Sequence, residues 1–184
     1  DLFHEPYIRI PLIIVEPKMP INLRGTSEKR MVESVDIVPT IVETMGGSYA
    51  SNRMEGRSLV PLLFGDNPAW RDTVFAEIDY SDRGARQVLD KHPYECRGYM
   101  IKNTQWKYIY WEGCRAQLYD LLNDPNEFND LAEDNDQSER LEDFEKQLFS
   151  WLRNRKQRTV VELDKLYKRS PEADEKAGII IGRW

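Results

Sequence analysis

The chain holds 184 residues, enough for one domain with a sizeable core but few for two. Hydrophobic residues at 40% and aromatics at 11% exclude a disordered chain, and a formal net charge of -6 argues against a general nucleic-acid binder, which carries a basic face. No apolar run approaches the roughly 18 residues that a membrane-spanning helix requires, the longest being Ile10 to Val15.

The sequence opens Asp1-Leu2-Phe3-His4, with neither an initiator methionine nor a basic-then-apolar leader, so it shows no signal peptide and leaves localisation open. Ile8 to Val15 is a short, nearly continuous apolar run rich in β-branched residues, which reads as a strand buried on both faces. Parallel neighbours are reached through crossovers of about a dozen residues or more, yet only seven residues precede this run. The expectation is therefore a fragment of a longer protein.

Asp36 is placed to cap a helix from about Ile37 to Met45, with Pro39 in the first turn, Gly46-Gly47 as the stop and Val38, Ile41, Val42 and Met45 as its buried stripe. A linker containing Gly56, Pro61, Gly65 and Pro68 leads to Asp72 to Ile78, a second expected strand. Tyr99 to Lys102 and Trp106 to Trp111, separated by Asn103-Thr104-Gln105, predict a hairpin, and Leu118 to Leu121 a further strand. Cys96 and Cys114 flank that hairpin and read as buried free thiols, a disulfide being conceivable but not implied. Asp136 with Glu139 forms a capping box for a helix to about Arg155, whose Leu141, Phe144, Leu148, Trp151 and Leu152 share one face.

Self-contained chemistry is scarce. His4 and His92 are the two imidazoles, and the sequence contains no GxSxG, GxxxxGK[ST] or GxGxxG motif. A calcium loop over Asp134 to Glu145 fails because Glu139 occupies the place where an EF-hand needs glycine. The basic run Arg153 to Arg158 reads as a solvated helix end, and Trp106, Tyr108, Tyr110 and Trp111 as strand residues of which alternation buries half.

Three stretches taken in order carry a resemblance. They are Phe3-His4-Glu5-Pro6-Tyr7-Ile8-Arg9-Ile10-Pro11-Leu12-Ile13-Ile14; then Ser34-Val35-Asp36-Ile37-Val38-Pro39-Thr40-Ile41, with Gly46-Gly47 and Gly56-Arg57-Ser58-Leu59-Val60-Pro61-Leu62-Leu63; and then Trp106-Lys107-Tyr108, Leu118-Tyr119-Asp120-Leu121 and Asp124-Pro125 with Glu127-Phe128-Asn129-Asp130-Leu131-Ala132. Together they resemble the sulfatase branch of the alkaline phosphatase superfamily over about residues 1 to 155. Within it, Glu77 to Arg83 and Asp124 to Phe128 look most like phosphonate monoester hydrolases.

The resemblance implies an α/β chain, the C-terminal part of an alkaline-phosphatase-like fold, with a small antiparallel sheet packed by a long C-terminal helix. Residues 1–68 would end the main catalytic domain, 69–156 would form the sheet-and-helix subdomain, and 157–184 a tail. The tail would make oligomer contacts, anchored by Gly178 to Trp184. The family's formylglycine arises in a C/S-x-P-x-R motif, and its divalent metal (Ca, Mn or Zn) binds at aspartates and a DHG-like motif. Neither motif occurs in this chain, and the family's catalytic lysine would fall immediately before Asp1. No catalytic or metal residue is thus assigned here. His4, Asp79, Tyr80 and Arg83 are the expected substrate-pocket residues. Expected partners are the upstream catalytic portion and further copies of the protein, with no nucleic acid and no membrane. The implied activity is hydrolysis of sulfate, phosphonate or phosphodiester esters by the parent protein; a non-catalytic interaction or ligand-binding domain is the alternative.

Overall fold

The computed structural model describes residues 2–156 together with residue 168. Among these residues five α-helices, α1 (Glu5–Ile8), α2 (Ile37–Thr44), α3 (Val60–Leu63), α4 (Gly84–Val88) and α5 (Ser138–Arg153), accompany four strands, β1 (Val74–Asp79), β2 (Arg97–Lys102), β3 (Trp106–Trp111) and β4 (Gln117–Asp120). The strands form one antiparallel meander in the order β1-β2-β3-β4. The register pairs Ala76 with Met100, Met100 with Ile109, and Tyr108 with Leu118. The β2–β3 turn closes through Asn103, whose side-chain oxygen accepts the backbone N–H groups of Gln105 and Trp106.

Alternation in the strands divides the core into two layers. On one face Ile101, Trp106, Tyr108 and Leu118 pack against Phe144 and Leu148 of α5, with Leu141, Trp151 and Leu152 at the margin. Phe75 stacks on Trp151 at 4.6 Å, and the Arg140 guanidinium lies 3.9 Å from the Trp106 ring centroid. On the other face Met100, Ile109 and Tyr119 are covered by Phe3, flanked by Ile78 and Trp111. The predicted hairpin, final strand and α5 stripe are therefore all present. All four hairpin aromatics pack in these layers; Trp106 and Tyr108 are buried, and none forms an open stacking platform.

Several expectations require correction. Asp36 precedes α2 as expected, but its side chain makes no capping hydrogen bond to that helix. Ile8 to Val15 is not a strand. It leaves α1 as an irregular segment, with Ile13 89% exposed and Ile10 and Val15 also open to solvent. Its β-branched residues favour a pleated conformation only where neighbouring strands supply hydrogen bonds, and none of the four strands pairs with it.

The stripe expected on α2 is likewise exposed at Val38, Ile41 and Met45, whereas Pro39 and Thr40 are buried. A capping-box turn at Glu33–Asp36 rotates the helix so that Thr40, whose hydroxyl donates to the Asp36 carbonyl at 2.6 Å, faces inward. Finally, Asp136 does not cap α5. Asp134 accepts the Asp136 N–H and caps a short 3-10 turn, Asn135–Gln137, which precedes the helix. Both cysteines are free thiols; Cys96 is buried as expected, whereas Cys114, expected to be buried, is exposed.

Candidate functional site

The buried face that carries Phe3 also gathers charge. Lys107 lies mid-strand in β3, 0% exposed, an arrangement that requires every ammonium donor to be matched. Its Nζ donates to the Phe3 carbonyl at 2.8 Å and to Glu127 Oε1 at 2.6 Å, and lies 2.8 Å from Glu5 Oε1. Lys102 binds the same Glu5 oxygen from the neighbouring strand. Glu127 Oε2 accepts the Glu5 backbone N–H at 2.7 Å and lies 3.3 Å from His4 Nδ1.

To present its carboxylate there, Glu127 adopts φ 57°, a left-handed conformation costing a non-glycine residue about 1–3 kcal/mol. Burial works to raise the Glu5 carboxyl, but Lys102 and then Lys107 outweigh it and hold the group below the usual carboxylate range. Burial draws the Lys102 ammonium below its usual range, with Glu5 opposing.

A second clasp anchors the chain preceding the sheet. Asp36, fully buried, accepts the N–H groups of Glu33 and Arg57 at 2.8 and 2.7 Å and a two-pronged guanidinium from Arg71 at 2.5 and 2.7 Å. A Cβ on Gly56 would come within 2.0 Å of the Val35 carbonyl oxygen, so this approach admits only glycine.

The predicted pocket residues separate into two groups. His4, with 29% of its side chain exposed, belongs to the Lys107 cluster, and its ring lies 5.8 Å from that of Tyr119. Tyr80 is buried and edges onto Trp111 at 5.8 Å, and Trp111 in turn packs on Phe3 at 5.3 Å. Burial raises the Tyr80 phenol. These two residues therefore border one aromatic group. Asp79, the last residue of β1, and Arg83, in the turn that follows, are exposed; Asp79 accepts the Ser81 N–H at 2.8 Å and Arg83 lies 4.0 Å from Asp82. Ser81 holds the Asp79 carboxyl below its ordinary value.

Lys107, Glu127 and Arg71 are not among the expected site residues. A lysine between Trp106 and Tyr108, on a strand covered on both faces, is the signal that points to a buried acidic partner. Arg9, with most of its side chain in solvent, lies 3.9 Å from Glu5. Arg155 and Lys156 turn back onto Glu77 and the Met54 carbonyl.

Two clefts open among the described residues do not include His4. One of about 650 Å³ lies between residues 12–32 and α3, and one of about 390 Å³ is lined by Glu77, Asp79, Arg97, Tyr99 and Arg155. Among the described residues no group of three or more His, Cys, Asp or Glu side chains converges to hold a metal ion, so these residues do not fit the divalent metal that the resemblance implies. No described helix is long and apolar enough to cross a membrane.

A four-stranded antiparallel sheet backed by a C-terminal helix, in a chain with these signature segments, defines the C-terminal subdomain of the alkaline-phosphatase-like hydrolases. The family model described as "N-sulphoglucosamine sulphohydrolase, C-terminal" matches residues 1–155, and the chain belongs to that family. It is 29% identical over 168 residues to the multifunctional alkaline phosphatase superfamily protein PehA of Trinickia caryophylli, covering 89% of this chain and 32% of that protein. It is 31% identical over 134 residues to mouse arylsulfatase K, covering 70% of this chain and 22% of the relative. Among solved structures, the phosphonate monoester hydrolase of Agrobacterium radiobacter superposes with a TM-score of 0.62 at 31% identity, covering 69% of this chain and 26% of that one. The chain thus spans about a third or less of the length of these relatives.

Proposed function

We propose that this chain is the C-terminal segment of a metal-dependent hydrolase of sulfate, phosphonate or phosphodiester esters. It supplies pocket wall and assembly contacts, while the nucleophile and metal ligands belong to the remainder of the parent protein. The observation that carries the reading is the convergence of two signature segments, His4–Glu5 and Lys107 with Glu127, on one buried cluster. That cluster fixes residues 3–5 across the sheet and leaves His4 partly open beside Tyr119, while Tyr80 edges onto Trp111.

The exposed apolar residues Ile10, Ile13, Val15, Val38, Ile41 and Met45 have no cover among the described residues, which supports packing of residues 1–68 against the upstream catalytic portion. Transfer of a phosphoryl or sulfuryl group demands a metal and cations against the developing charge, and that chemistry is assigned to the upstream portion. Asp79 and Arg83 stand at the entrance of the proposed pocket. Gly178 to Trp184, outside the described residues, is assigned to contact between copies.

The test is an assay of the intact parent with an aryl sulfate, an aryl phosphonate monoester and a phosphodiester, before and after chelation. Turnover of at least one substrate, lost on chelation and absent from the isolated segment, is expected. Turnover by the segment alone refutes the assignment. Truncation before Gly178 should lower the mass seen by light scattering, and an unchanged mass removes the assembly role.

A further inference from the structure

We infer that the opening at the end of β1 and the start of β2, beside the last turn of α5, is a binding site for a polyhydroxylated ring such as a pyranose, held by Arg97, Asp79 and Tyr99. This goes beyond the hydrolase reading above and does not depend on ester turnover by the parent protein.

Sheet and helix make the opening together. Phe75 and Tyr99 pack in the layer under α5, and the strand period of two places Glu77, Asp79 and Arg97 on that same face. The register sets Glu77 opposite Tyr99 and Asp79 opposite Arg97, two cross-strand pairs in succession. α5 ends at Arg153, and Trp151 stacks on Phe75 at 4.6 Å to close the inner end of the face. The outer pairs stay uncovered, with Glu77, Asp79 and Arg97 exposed. The result is a cleft of about 390 Å³, bordered on the helix side by Leu152 and Arg155. Sites for small molecules begin at about 300 Å³.

One wall of the cleft is already satisfied. Arg155 lies 2.8 Å from Glu77 and 5.1 Å from the centroid of the Trp151 ring, so cation, carboxylate and indole fix one another. The outer pair is different. Among the described residues the Arg97 guanidinium donates no hydrogen bond and closes no ion pair, although it stands across the ladder from Asp79. Asp79 accepts the Ser81 N–H at 2.8 Å, and Ser81 holds its carboxyl below the ordinary value, so it stays an ionised acceptor. Free guanidinium donors and a carboxylate with acceptor sites to spare therefore face one space.

This arrangement selects against a simple ion. An anion taken by Arg97 meets Asp79 directly across the ladder, a cation taken by Asp79 meets Arg97, and Arg155 and Glu77 cancel beside them. A hydroxyl both donates and accepts, so neighbouring hydroxyls on one ring accept from Arg97 and donate to Asp79 without bringing a charge. The half-buried Tyr99 ring, with Ile78 and Leu152, supplies apolar surface for the C–H face of that ring. A small zwitterion such as an amino acid leaves this surface uncovered.

The test is a titration of the intact parent protein at millimolar ligand, read by saturation-transfer NMR and calorimetry. The probes are methyl glucopyranoside, methyl galactopyranoside and cellobiose, with glycine as the zwitterion. At least one saccharide should bind, and Arg97→Ala and Asp79→Ala should each weaken it by about tenfold or more, the scale of a lost hydrogen bond to a charged group. Both residues are exposed, so melting temperatures should hold. Tyr99→Phe keeps the ring and should cost less than either. Arg115→Ala, which removes an exposed arginine paired with Asp130, should leave binding unchanged.

Silence of all three saccharides overturns the inference, as does binding that survives both Arg97→Ala and Asp79→Ala. Glycine binding through these residues more tightly than any saccharide overturns the ligand class. The titration reads no ester turnover, so its failure leaves the hydrolase reading standing, and an inactive parent leaves this inference standing.

Discussion

Replacing Lys107 with methionine probes the Lys107 clasp directly. Methionine keeps the unbranched shape and nearly fills the ammonium's channel, so the cavity contribution is small. What changes is the pairing. Glu5 retains Lys102, but Glu127, whose side chain is 1% exposed, keeps only His4 and the Glu5 N–H. One carboxylate is left buried without its cation, a situation that costs about 3–5 kcal/mol. Native-state amide exchange at Tyr108 and Ile109 in the intact protein reads this locally, and their protection should fall by about a hundredfold or more. Adding Glu127→Gln removes the stranded charge and should restore a substantial part of the loss. A fall of less than about tenfold for Lys107→Met would show that solvent reaches the cluster and that the buried-charge reasoning is wrong.

Arg71→Lys keeps the charge but loses the two-pronged contact with Asp36, and should lower stability by about 1–3 kcal/mol, with a matching drop in urea midpoint. Gly56→Ala forces a methyl toward the Val35 carbonyl and should destabilise by about 1–3 kcal/mol or more, whereas Gly84→Ala, with open space around it, should stay within about 0.5 kcal/mol in the same melts. The Glu5 carboxyl, lowered in the folded state from its ordinary 4.5, contributes stability above about that pH and loses it as pH falls through the folded value. Glu33, raised by burial, works oppositely, its contribution declining as pH climbs from 4.5 through its folded value. Glu5→Gln should therefore shrink the acid limb of a stability-versus-pH curve, and an unaltered limb would exclude Glu5 as its source.

The sheet was legible because its determinants are local. Aromatic and β-branched runs bounded by Asn103-Thr104-Gln105 specify a hairpin whatever surrounds them, and the spacing of Phe144 and Leu148 specifies the buried side of α5. Ile8 to Val15 misled because a buried strand is defined by its neighbours, and apolarity without a pairing edge leaves an exposed segment. The α5 start shifted because Asp134 and Asp136 are both competent caps, two residues apart, and the choice depends on a 3-10 turn that residue type does not encode. Of the pocket residues, His4 and Tyr80 border one aromatic group while Asp79 and Arg83 lie at an exposed turn. Lys107 escaped because lysine is seldom buried, and its partners Glu5 and Glu127 stand 102 and 20 positions away.

That separation orders events in time. Glu5 meets Glu127 across 122 residues, and Phe3 meets Lys107 across 104. At about 5–20 residues per second, translation leaves the segment bearing His4 waiting roughly 6–24 s before Glu127 exists to receive it. Because the closing contact joins a charge cluster to the apolar seat of Phe3, it has one register in which all donors and acceptors match. The latch thus closes in two stages: Phe3 and Glu5 can meet Met100, Lys102 and Lys107 first, and Glu127 completes the cluster last.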